Sequence, residues 1–91
     1  MKILVTNDDG VYAPGLTALY EALKDFGDVS VVAPDRDRSG VSNSLSLNRP
    51  MRVREMSNGF FCIEGTPADC VYLGLRGLLN ERPKMIVSGI N

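Results

Sequence analysis

The 91-residue sequence is small enough for one domain and one core, and its 10 Lys plus Arg against 11 Asp plus Glu give a net charge of −1 with no basic block to meet a nucleic-acid polymer. Apolar residues make up 44% and charged residues 23%, an ordinary globular balance that excludes a disordered chain. The amino terminus has too few apolar residues for a signal peptide or a membrane span, so a cytoplasmic protein is expected, and the absence of histidine excludes a Ser-His nucleophile pair and a His-ligated zinc site within these residues.

The chain begins with a short apolar run, Ile3 to Val5, β-branched at two of three positions, which reads as a strand buried on both faces. It stops at Asn7-Asp8-Asp9-Gly10, an amide, two adjacent carboxylates and a permissive glycine at the carboxyl end of the strand, where open α/β sheets place their ligands. Two neighbouring carboxylates repel unless a cation or a shared proton relieves them, and an oxygen-rich strand end suits Mg²⁺ or Mn²⁺. The plainer reading is an acidic turn, since Asp-Gly is common turn chemistry.

Pro14 and Gly15 then punctuate the approach to a helix whose apolar face is Leu16, Leu19, Tyr20, Leu23 and Phe26, with Gly27 as its stop. Tyr20 and Phe26 are expected in the core. Val29 to Ala33 is a second strand, and strand, helix and strand within this span form the βαβ unit of a parallel sheet. Asp35 to Pro50 is long for a loop, which marks it as functional or disordered. Ser39, Ser42, Asn43, Ser44 and Ser46 offer hydroxyls and an amide there, Gly40 lets backbone approach an anion, and Arg36 and Arg38 can pair with Asp35 and Asp37.

Met51 to Met56, the turn Ser57-Asn58-Gly59 and Phe60 to Glu64 read as a β-hairpin with a type I′ turn, an excursion from the parallel sheet. Cys62 and Cys70 lack metal-site spacing and are expected to be buried thiols rather than a disulfide. Gly65-Thr66-Pro67-Ala68-Asp69 opens a second helix, with Thr66 as N-cap, Pro67 first and Asp69 third. Its expected apolar stripe is Ala68, Val71, Tyr72, Leu75, Leu78 and Leu79, while Gly74 and Gly77 suggest a close backbone contact. Lys84 to Asn91 gives a third apolar strand with a polar end.

Three parallel strands ending at Asn7-Asp8-Asp9, Asp35 to Gly40 and Ser88 to Asn91 bring their polar tips to one sheet edge. Asp8 and Asp9 as charged ligands, with Ser39 and Asn91 as neutral oxygen donors, would hold one hard divalent ion and leave room for water and a phosphate oxygen.

These segments, in order from Asn7-Asp8-Asp9-Gly10 through Ala33-Pro34, Arg38-Ser39-Gly40, Ser42-Asn43-Ser44 and Gly65-Thr66-Pro67-Ala68-Asp69 to Ser88-Gly89-Ile90-Asn91, closely resemble the SurE family of metal-dependent nucleoside monophosphate phosphatases. The resemblance implies a Rossmann-like three-layer α/β sheet, with residues 1–91 as the amino-terminal part of the phosphatase domain, cut short after the third main strand. It implies Asp8, Asp9, Ser39 and Asn91 as ligands of one Mg²⁺ or Mn²⁺, with Asn7, Gly40 and Asn43 beside the phosphate. It further implies hydrolysis of nucleoside 5′- and 3′-monophosphates, for some members of short polyphosphate, and a homodimer or tetramer at full length. Asp8 or Asp9 would orient or deprotonate the attacking water; the sequence leaves open which. Family chains are well over twice as long and continue past Ser88 into further phosphate-binding residues, so these 91 residues alone are expected to be impaired as an enzyme and to expose apolar surface.

A haloacid-dehalogenase-type phosphatase needs a nucleophilic carboxylate where Asn7 stands. A signalling receiver domain needs a phospho-accepting Asp at the next core strand, and Met51 to Met56 has none. A dinucleotide-binding module lacks its G-x-G-x-x-G turn. The remaining alternative is a non-catalytic fragment that binds metal or nucleotide.

Overall fold

β1 (Lys2–Thr6) is buried along its whole length and hydrogen-bonded on both sides, which makes it the central element of the computed structural model; residues 1–38, 45 and 50–89 are described. It is followed by α1 (Pro14–Leu23), β2 (Asp28–Pro34), β3 (Val53–Glu55), β4 (Phe61–Ile63), α2 (Pro67–Leu75) and β5 (Met85–Ser88). The five strands form one sheet in the order β3-β4-β2-β1-β5, in which β4, β2, β1 and β5 are mutually parallel and only β3 is antiparallel.

Strand alternation sorts the core into two halves. Ile3, Val5, Val31, Ala33 and Cys62 join Leu16 of α1, with Leu19, Tyr20 and Leu23 packed against them, while Leu4, Val32 and Ile63 join Cys70 of α2 and Leu79. The helices therefore cover opposite faces, giving the expected three-layer α/β arrangement. The physical reason is direction: the α1 crossover runs from β1 to β2, the α2 crossover runs back past β1 to β5, and right-handed connections in opposite senses lie on opposite faces.

The hairpin adds to the sheet instead of leaving it. β4 pairs in parallel with β2, and β5 is accordingly the fourth parallel strand rather than the third. Its turn is not type I′ either, because Asn58 keeps a negative φ and only Gly59, at φ 89°, is left-handed. The Gly59 amide donates to the Met56 carbonyl at 2.9 Å, the Met56 amide to the Phe60 carbonyl at 2.7 Å, and Asn58 Oδ1 accepts from the Phe60 amide at 3.0 Å, the bonding of a type I turn followed by a glycine bulge.

α1 ends earlier than its apolar spacing suggests. Lys24 caps it through its amide on the Tyr20 carbonyl, and Phe26 lies in the following turn, 74% exposed, contrary to the expected core position. Tyr20 does reach the core and meets Phe60 edge-on, with ring centroids 5.3 Å apart. Gly27 is needed for a close approach rather than as a helix stop, since a Cβ there would lie 2.5 Å from the Met1 carbonyl oxygen.

α2 starts as expected. Thr66 Oγ1 accepts from the Asp69 amide at 3.1 Å and Asp69 Oδ2 accepts from the Thr66 amide at 2.8 Å, a full capping box. Its sheet-facing side differs in part from the expected stripe: Cys70, Leu73 and Gly74 meet the sheet, while Ala68, Val71, Tyr72 and Leu75 are half-buried on the flanks, and Leu78 and Leu79, just past the helix, pack into the core as expected. At Gly74 the helix comes so close that a Cβ there would lie within 2.7 Å of Leu4, so the point of nearest approach admits no side chain. Gly77, at φ 115°, makes no such contact; it terminates the helix, and the Leu78 amide donates to the Leu73 carbonyl at 3.2 Å in the manner of a Schellman motif.

Cys62 and Cys70 are free and buried, as expected. Burial pushes the Cys70 thiol from 9.0 up to about 12, with the Thr6 hydroxyl pulling the other way. The native state then keeps a proton that the unfolded chain releases, so the stability the neutral thiol contributes is complete below pH 9 and is lost as pH rises towards 12. Among the described residues no helix is long and apolar enough to cross a membrane.

Two outcomes are expected. Denaturant titrations of the wild type and of Cys70→Ala across pH 9 to 12 should show a steeper loss of stability in the wild type, by up to about 1.4 kcal/mol per pH unit. Thr66→Ala should lower the unfolding free energy by about 1 kcal/mol, because it opens the capping box.

Candidate functional site

β1 has its sequence successor β2 on one side and β5 on the other, so its carboxyl end is the point where the strand order reverses, the usual ligand crevice of such sheets. Asp8 and Asp9 stand there, both half-buried. The register aligns Thr6 with Ser88 and Val5 with Val31, which brings the ends of β1, β2 and β5 to one edge.

Each side of the Asp8-Asp9 turn is tied down. Asn7, only 4% exposed, donates from Nδ2 to the Gly10 carbonyl at 3.0 Å and accepts on Oδ1 from the Gly10 amide at 3.2 Å. The Arg38 amide donates to the Asp8 carbonyl at 2.7 Å, and the Val11 amide to the Pro34 carbonyl at 2.7 Å, so the turn is stitched to the end of β2 and to the segment after it. Gly10 sits at φ 108°, and a Cβ on it would come within 2.9 Å of the Arg36 backbone. On the other flank the Gly89 amide donates to the Thr6 carbonyl at 2.8 Å.

Two features of this edge go beyond what the sequence pattern indicated. The Arg38 guanidinium is folded inward, donating to Asp35 Oδ1 at 2.9 Å with its side chain 17% exposed, so the expected surface pairing is a half-buried bridge that orders the segment touching Asp8. The alternating charges at 35–38 signalled the pair but not its burial. A cavity of about 680 Å³ lies alongside, lined by Asp35, Arg52, Val53, Arg54, Cys62 and Glu64, with Arg54 held by the Tyr12 hydroxyl at 3.1 Å. It exists because the hairpin joined the sheet next to β2, a placement not readable from local pattern.

Of the expected site residues, the structure brings Asn7, Asp8 and Asp9 together on one turn. Ser39, Gly40, Asn43 and Asn91 lie outside the described residues. Among the described residues no group of three acidic or thiol side chains converges. The donor chemistry fits a hard divalent cation: two adjacent carboxylates on a backbone-locked turn, with both thiols buried in the core and no imidazole in the chain.

A family model described as survival protein SurE matches residues 3–91. The chain belongs to the SurE family. It is 59% identical over its whole length to the 5′-nucleotidase SurE of Pseudomonas paraeruginosa and 58% identical to that of Idiomarina loihiensis, covering 36% of each. The crystal structure of a SurE protein from Aquifex aeolicus superposes with a TM-score of 0.92 at 48% identity, covering all of this chain and 38% of that one. The chain thus spans about a third of the length of these SurE relatives, and the α/β fold expected from its strands and helices is the fold of the family.

Gly10 offers a test of how tightly the SurE turn is specified. Gly10→Ala should cost about 1–3 kcal/mol of stability, from a strained φ and the Arg36 backbone. Gly15→Ala, in α1 with nothing within 4 Å of its added methyl, should be neutral or stabilise by up to about 1 kcal/mol in the same denaturation assay.

Proposed function

We infer that these residues form the metal-binding edge of a phosphomonoester hydrolase that releases phosphate from nucleoside 5′-monophosphates, and from 3′-monophosphates as well. The observation that carries the reading is the Asp8-Asp9 pair at the carboxyl end of the central strand, on a turn locked by Asn7, Gly10 and Arg38, in a chain 59% identical to a protein named 5′-nucleotidase SurE. One Mg²⁺ or Mn²⁺ would be held by Asp8 and Asp9, with Ser39 and Asn91 as further oxygen ligands and Gly40 and Asn43 beside the phosphate.

The ion, when bound, supplies Lewis-acid polarisation of the phosphoryl oxygens and a more acidic water. The chain's own part is positional and electrostatic. Asp8 and Asp9 concentrate negative charge where the cation is to sit, and one carboxylate oxygen accepts the proton of the attacking water. The Arg38 amide keeps the Asp8 backbone fixed while that charge changes. Holding these groups at set distances before substrate arrives is what lowers the barrier, since little covalent chemistry is left to the protein. In the cell we place the activity in the cytoplasm, on nucleoside monophosphates and short polyphosphate rather than on a nucleic-acid polymer or a membrane, in a homodimer or tetramer of the full-length protein. The isolated 91 residues are proposed to have much lower activity than that full-length protein.

The test is made on the protein at full length. Mn²⁺ at about 100 times its dissociation constant should stabilise the wild type by about 2.7 kcal/mol in thermal or denaturant unfolding. Asp8→Asn should lose that stabilisation and phosphate release from AMP together. Without metal Asp8→Asn should stay folded, because Asp8 is half-buried at the strand end and lies outside the core. Unchanged turnover in Asp8→Asn at saturating Mn²⁺ would sink the reading.

A further inference from the structure

We propose that Asn7 is a positioning residue for the ion-binding carboxylates, acting through its reciprocal pair of hydrogen bonds with the Gly10 backbone, and that it makes no contact with the phosphate itself. The inference rests on the functional reading of Asp8 and Asp9 above and deepens it.

The carboxamide is turned into the protein. Its nitrogen donates to the Gly10 carbonyl and its oxygen accepts from the Gly10 amide, so one side chain closes a ring around the two residues in between, which are Asp8 and Asp9. That closure needs a donor and an acceptor on one short head group. A carboxylate has only acceptors, a serine is shorter and a glutamine longer, so asparagine is the residue that fits.

Three surroundings keep it there. The side chain is 4% exposed. Gly89 packs against it so closely that an added Cβ would lie 3.3 Å from Asn7 Cβ, and Gly89 is itself fixed by its amide on the Thr6 carbonyl. Gly10, its bonding partner, is backed by the Arg36 main chain. Turning the carboxamide towards a ligand would break both bonds and strand the buried Gly10 amide, which is costly, while the Gly10 carbonyl would keep only the Ala13 amide at 3.1 Å. Asn7 therefore sets where Asp8 and Asp9 point.

The test separates metal affinity from phosphate affinity in the full-length protein. Calorimetric titration with Mn²⁺ alone should show roughly 10- to 100-fold weaker binding in Asn7→Ala, the usual cost of losing a group that orients a metal ligand. Activity of Asn7→Ala on AMP should recover at high Mn²⁺ with little change in KM for AMP. Gly10→Ala should give the same signature, although it removes no polar side-chain atom. A second measurement needs no variant. In the wild type, the Gly10 amide should stay protected from hydrogen exchange when Mn²⁺ and inorganic phosphate are added. Wild-type Mn²⁺ affinity in Asn7→Ala with a raised KM for AMP would overturn this inference while leaving the functional reading intact, and so would loss of Gly10 protection on adding phosphate. A wild type that takes up no Mn²⁺ overturns both.

Discussion

β1 is hydrogen-bonded to β2 on one side and β5 on the other and covered by a helix layer on each face, and that fourfold enclosure is the constraint on which the rest depends. Ile3, Leu4 and Val5 have no exposed surface, and burying such side chains contributes roughly 1.5–3 kcal/mol each. A single hydrogen bond in the following turn contributes about 1 kcal/mol. The strand therefore determines where Asp8 and Asp9 are, and the turn only determines how they are oriented. A site built this way inherits its position from the most stable part of the fold.

Orientation is set by the turn's own devices. Asn7 closes it from within, the Arg38 amide holds it from the β2 side, and Gly10 lets the chain bend where a side chain would strike the Arg36 backbone. The Arg38-Asp35 bridge belongs to the same set, since it orders the segment that supplies that amide. On the proposed function, none of these groups needs to touch substrate. They would hold a charged pair ready for a cation, as groups that orient a metal's ligands do.

How much of this was legible depends on the range of the forces involved. The capping box of α2, the burial of β1 and the acidic strand end are local and were readable from Thr66-Pro67-Ala68-Asp69, Ile3-Leu4-Val5 and Asn7-Asp8-Asp9-Gly10. Phe26 misled because helical spacing continues past Leu23, while the helix ends in a turn that swings Phe26 outward. The stripe of α2 misled because apolar size was taken as the mark of the sheet face; close packing chose Cys70, Leu73 and Gly74 instead. Asn58-Gly59 announced a turn, but its type followed from the Asn58 side chain bonding the Phe60 amide.

The sequence by itself determined the order of strands and helices, the α/β class, the buried central strand and the chemical identity of the two carboxylates, because each of these follows from periodicity, caps and side-chain type within a few residues. Only the tertiary structure decided that the hairpin extends the sheet through β4 and β2, that Arg38 turns inward to Asp35, and that the Asn7 carboxamide faces Gly10 rather than solvent. Those outcomes depend on which strand lies next to which, and on backbone groups left without partners at the sheet edge. Chain segments far apart in sequence supply the answer, since a buried amide or carbonyl takes whichever partner the assembled fold brings within reach.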